Sequence, residues 1–183
     1  MISRFIACTA LFISTGVFSA DFGVGNWGDD RDAILSEETR INITPIGQYD
    51  YLVYSTSFGN LDQIKLVYRF QEEILTKGVF IFNSDSMTAN AMLNQYNVVK
   101  NLLIQKYGQP TEDHVIWSTL PEPEDKSVWA NYLSNNQLIL QSEWQSSSTI
   151  LFHQLSEYNG TIQHQLVYKP LIQVQNSKSD SLF

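Results

Sequence analysis

Three histidines, His114, His153 and His164, are the side chains of this sequence best suited to acid–base or metal chemistry. A metal site built from them would need carboxylates beside the imidazoles, because the one cysteine, Cys8, stands near the start of the chain inside an apolar run. His153 and His164 fall on successive expected strands and can approach one another. His164, however, alternates with Ile162 and Leu166, the pattern of a half-buried sheet position rather than of a ligand. Ser146, Ser147 and Ser148 lack the G-x-S-x-G context that presents a nucleophile on a strand-to-helix turn. Glu122 and Glu124 pair in a proline-broken loop, where nothing raises one carboxyl pKa above the other. Asp29, Asp30 and Asp32 carry charge enough for calcium but lack the glycine and distal glutamate of an EF-hand loop. Gly23 and Gly25 open no phosphate loop, since no strand precedes them and Asn26 and Trp27 follow. Asn42-Ile43-Thr44 and Asn159-Gly160-Thr161 match the glycan acceptor spacing and are read as accidental. No catalytic residue, cofactor or metal is expected. A hydrolase using His153, His164 and a carboxylate is the least favoured reading.

The chain begins with a segment that reads as a signal peptide, residues 1–20. Arg4 and the amino terminus supply a positive region, Phe5 to Phe18 is nearly continuous apolar sequence, and Val17, Ser19 and Ala20 are small enough for a signal peptidase. Cleavage is expected at Ser19 or Ala20. The run is shorter than the roughly 20 residues a bilayer requires, so no stable membrane anchor is expected. Cys8 sits inside the run rather than at its end, the wrong place for lipidation. Removing residues 1–20 from the 183 leaves 163, enough for one domain with a substantial core. No cysteine remains, which favours a bacterial envelope protein without disulfides, in the periplasm or beyond it. Ten Lys and Arg against nineteen Asp and Glu leave the mature chain at −9, with no basic cluster along the sequence. Such a chain is a poor partner for nucleic acid or anionic lipid.

The elements that must position any site are read from periodicity. Met92, Tyr96, Val99, Leu103 and Tyr107 recur at three- and four-residue intervals, with Ala89, Leu93 and Leu102 widening the stripe, and predict one long helix. Ser86 or Thr88 can cap its start; Gly108 and Pro110 end it. A short acidic helix is expected to begin at Asp29, with Ile34 and Leu35 facing the core and Trp27 as a packing anchor. Between them the period changes to two: Tyr49, Tyr51 and Val53 alternate with Leu52, Tyr54 and Phe58. Two more strands follow, through Ile64 to Phe70 and Leu75 to Phe82, as an antiparallel meander that the long helix covers. After Pro110 four to five strands are expected, through His114 to Ser118, Val128 to Leu133, Leu138 to Trp144, Ile150 to Leu155 and Thr161 to Tyr168. The fold class is α+β, one domain over residues 21–169. It is divisible into helix-plus-meander units at 27–83 and 87–168, with a mobile tail over 170–183.

The chain resembles a large group of uncharacterised exported bacterial proteins. The shared features are Trp27-Gly28-Asp29-Asp30 before a short helix, Tyr68-Arg69-Phe70 in a strand, Lys106 to Pro110 at a helix end, and the tryptophan strand Val115-Ile116-Trp117. The layout is more distantly similar to SmpA/OmlA-type outer-membrane assembly lipoproteins and to beta-lactamase inhibitor proteins, whose units bind other proteins. It departs from the first in having no lipidated cysteine and from the second in having no disulfides.

The expected function is therefore non-enzymatic: a soluble periplasmic module that binds another envelope or exported protein, as an assembly factor, inhibitor or immunity protein. Tyr49, Tyr51 and Tyr54 would supply solvent-facing contact area. The alternative is a carrier holding a small apolar ligand between sheet and long helix, lined by Met92, Tyr96, Phe80 and Phe82.

Overall fold

A computed structural model describes residues 20–118, 123 and 125–172. The segment through Ser19 expected to be a signal peptide, most of the Glu122–Glu124 loop and the tail beyond Ile172 lie outside the described residues.

The fold is α+β. One eight-stranded antiparallel sheet runs in the order β1-β2-β3-β4-β8-β7-β6-β5. Its first four strands are β1 (Ile41–Asn42), β2 (Tyr51–Phe58), β3 (Leu61–Gln71) and β4 (Ile74–Phe82). The last four are β5 (Glu112–Trp117), β6 (Leu138–Gln145), β7 (Thr149–Tyr158) and β8 (Thr161–Pro170). The halves join where β4 pairs with β8, Val79 opposite Val167, although most of the second half intervenes in sequence.

Helix α1 (Arg31–Glu37) is capped by Asp30, whose carboxylate accepts from the Ala33 amide; Asp29, the expected cap, accepts from Asn26 instead. Helix α2 (Ala89–Tyr107) starts on Thr88, which accepts from Ala91, and stops at Gly108 with φ 83. Its buried stripe is Met92, Tyr96, Val99 and Leu103, as the spacing predicts. The meander is not covered by α2 alone. Met92 and Tyr96 pack with Leu133, Leu138, Leu140 and Leu155 of the second half, and only Val99 and Leu103 join the first-half core around Leu52, Tyr54 and Leu66. Phe22 and Ile34 complete the cover of the first half.

Residues expected to form a strand from Val128 to Leu133 instead make a 3₁₀ turn, Lys126–Val128, and helix α3 (Trp129–Ser134). Trp129, Tyr132 and Leu133 stand at helical spacing and pack on the cluster of Met92 and Tyr96, and Trp117 meets Trp129 and Tyr132 edge-on. The β-forming composition of the segment yields to that packing.

The buried stripes of α1, α2 and α3 are all in the core on one sheet face, with Leu52, Leu66, Leu75, Leu140 and Leu166. The alternate residues of the same strands form the opposite, open face.

Candidate functional site

The open face carries the feature that folding alone does not explain. In register, Tyr51 pairs with Arg69 and Arg69 with Lys77. Gly78 pairs with Tyr168, so the antiparallel register sets Lys77 beside Lys169. Three cations thus form one row across β3, β4 and β8, strands in the middle of the sheet. Like charges directly opposite one another destabilise a sheet. Among the described residues neither these three nor Lys65 makes an ion pair. Burial, then the charges of Lys169 and Arg69, hold the Lys77 ammonium below its usual pKa. Lys169 has one compensation, its Nζ standing 5.4 Å from the Phe152 ring centroid.

Next to the cation row runs an apolar one: Val53 pairs with Val67, Val67 with Val79, and Val79 with Val167. Beyond it Lys65 pairs with Ile81, and Ile81 with Gln165. The valine floor is therefore flanked by Arg69 and Lys77 on one side and by Lys65 on the other. Ile43 and Pro45, from the segment between β1 and β2, wall the same depression, whose volume is about 490 Å³. Thr44 fixes that segment to β2 by accepting from the Val53 amide at 2.8 Å.

The helix-covered face holds a different polar cluster. His153 and His164 are both buried, with their Nε2 atoms 2.7 Å apart. His164 Nδ1 lies 2.6 Å from Gln95 Oε1, so it donates there, and His164 Nε2 must accept from His153 Nε2. Both rings are neutral in this arrangement. Burial takes the His164 pKa down to about 3, and burial, with the neighbouring His164 and the Lys100 charge, holds that of His153 well below its ordinary range. Tyr96 stacks on His153 at 4.1 Å and Phe82 on His164 at 4.2 Å. Beside them Ser142 donates to Asp113 Oδ1 at 2.7 Å and accepts from the Tyr96 hydroxyl at 2.8 Å, while Lys100 holds Asp113 at 2.6 Å. Against the effect of burial, these bonds lower the Asp113 pKa. A carboxylate so bound is a poor base, and Ser142 is fully enclosed. The cluster ties α2 to β5 and β6. Among the described residues no three metal-ligating side chains gather.

The tyrosines expected to face solvent part company. Tyr49 is 75% exposed, Tyr51 is half-buried as a wall of the groove, and Tyr54 is 2% exposed. Tyr54 shares the Leu52 side of β2 and meets the Tyr68 ring at 5.9 Å, so its place in the expected contact surface is corrected to the core. Of the residues expected to line a carrier site, Met92, Tyr96 and Phe82 are core side chains, and Phe80 packs against Phe22 and Phe58. The sequence reading did not single out Lys65, Arg69, Lys77 and Lys169. The signal it offered was parity, since Lys65, Val67 and Arg69 share one face of β3, but the row itself requires the β4–β8 register.

No family model matches the chain, and no curated protein matches it. Among solved structures, a DUF4309 family protein from Bacillus subtilis is similar at a TM-score of 0.38 and 10% identity, over 78% of each chain. At that score the likeness carries no argument about fold or function.

Proposed function

We propose that this protein is a non-enzymatic exported protein of the periplasm that binds another envelope or exported protein through the segment leading into β2. One observation carries the reading: Ile41, Ile46 and Tyr49 are 73%, 104% and 75% exposed within nine residues. Large apolar side chains so close in sequence and so open to water are the composition of a contact patch. The distant resemblance to assembly lipoproteins and inhibitors, whose units bind proteins, points the same way.

A photo-crosslinking residue at Ile41 tests it in the native envelope. One protein is expected to be captured there and lost in the Ile46→Asp/Tyr49→Asp variant. Equal capture by the same residue placed at Val98, exposed on α2, would contradict the assignment.

The carrier reading has its own support, in the groove of about 490 Å³ on the open face. Its volume lies within the range of small-molecule sites. Such a ligand would sit on the valine floor rather than beneath α2.

A further inference from the structure

Arg69, Lys77 and Lys169 stand where charge costs stability. Cations often guard sheet edges against unwanted pairing, but β3, β4 and β8 are the third, fourth and fifth of eight strands. Solubility does not call for them either, in a chain of net charge −8. What remains is an anion that the row would neutralise. Arg69 offers a planar fork suited to two oxygens, and the two ammonium groups offer point charges beside it.

The floor narrows the class. Inorganic phosphate would satisfy the cations and make no use of Val53, Val67, Val79 and Val167. Nucleic acid would look for an aromatic stacking platform, which valines do not supply. An acyl chain uses both parts. The valines that line the depression, Val53, Val67 and Val79, lie on three adjacent strands, roughly 10 Å at the usual strand spacing, with Val167 next in the row, and Ile43 and Pro45 close the floor on the β1 side.

We propose that this groove binds a single-chain anionic amphiphile. Arg69 and Lys77, which line the groove, hold its carboxylate or phosphate headgroup, with Lys169 beside Lys77 just outside the lining, and its alkyl chain lies on the valine floor against Ile43 and Pro45. The site goes beyond the partner-binding reading and does not require it: crosslinks from Ile41 report on the loop, ligand titrations on the groove.

The test is calorimetric titration of the delipidated mature protein, below micellar concentrations, with dodecanoate, dodecyl phosphate, dodecyl maltoside, dodecylammonium and inorganic phosphate. One or both anionic amphiphiles are expected to bind, and which one does separates the carboxylate from the phosphate source. Dodecyl maltoside should bind about tenfold more weakly or worse, the loss of one charge-assisted hydrogen bond. Arg69→Gln/Lys77→Gln should weaken the anionic ligands by about tenfold or more and leave the maltoside unchanged, with its circular dichroism intact. The proposal is overturned if neither anion binds, if the maltoside or dodecylammonium binds as tightly, or if the double variant binds like the wild type. Inorganic phosphate matching dodecyl phosphate would remove the valine floor from the site.

Discussion

Two neutral imidazoles, 2.7 Å apart and stacked on Tyr96 and Phe82, form a polar pair inside an apolar core. Their burial ties them to the pH dependence of stability. Both folded-state pKa values lie below the unfolded value near 6.5, His164 at about 3. The unfolded chain therefore takes up protons first, and stability present above pH 6.5 is lost as pH falls toward 3. Each histidine contributes a slope of about 1.4 kcal/mol per pH unit in that window. Asp113 and Glu38, whose lowered pKa values give the same direction of loss, act only below their unfolded values of 3.8 and 4.5. Urea unfolding between pH 7 and pH 5 isolates the histidines. The wild type should lose stability across it and His153→Gln/His164→Gln should not; a flat wild-type profile would contradict the neutral pair. The sequence placed the two histidines on successive strands and read His164 as half-buried. Their full burial and the Gln95 contact depend on where α2 lies, which periodicity does not specify.

At the scale of elements, the segment before α1 is held by a close approach to the sheet. Phe22 lies edge-on to Tyr68 and Phe80 at 5.2 and 5.5 Å and against Tyr168 at 5.1 Å. It fits because β4 has no side chain at Gly78, where a Cβ would come within 2.2–2.4 Å of the Phe22 ring. Gly78→Ala should therefore displace the ring and cost about 1–3 kcal/mol, read by urea unfolding and by loss of aromatic ellipticity. Wild-type stability in that variant would contradict the packing. The long helix, Thr88 as one of two candidate caps, its end at Gly108 and the two-residue period of β2, β3, β6 and β8 were legible in the sequence, because each rests on local spacing. Helix α3 was not. Val128 to Leu133 read as a strand by composition, and only packing on Met92 and Trp117 selects the helix. Tyr54 failed differently: parity placed it opposite Tyr51, and the cover over the Leu52 side decides which of the two is buried.

For the whole molecule, the three helices among the described residues gather on one face, and the opposite face carries the cation row and the valine-floored groove. That row is invisible along the chain, since Lys169 stands 92 residues after Lys77 and joins Arg69 and Lys77, themselves paired across β3 and β4, only through the pairing of β4 with β8. A chain read as lacking a basic cluster thus assembles one across three strands. The central claim is that this row is kept for binding and not for folding. Thermal unfolding of the ligand-free protein beside Arg69→Gln/Lys77→Gln, at low ionic strength, addresses it most directly. Removing like charges worth about 0.2–1 kcal/mol a pair should leave the Tm unchanged or raise it by about 2 °C. The difference should close in about 1 M salt, where the charges are screened. A Tm several degrees below the wild type would show that the row stabilises the sheet, and would contradict the claim.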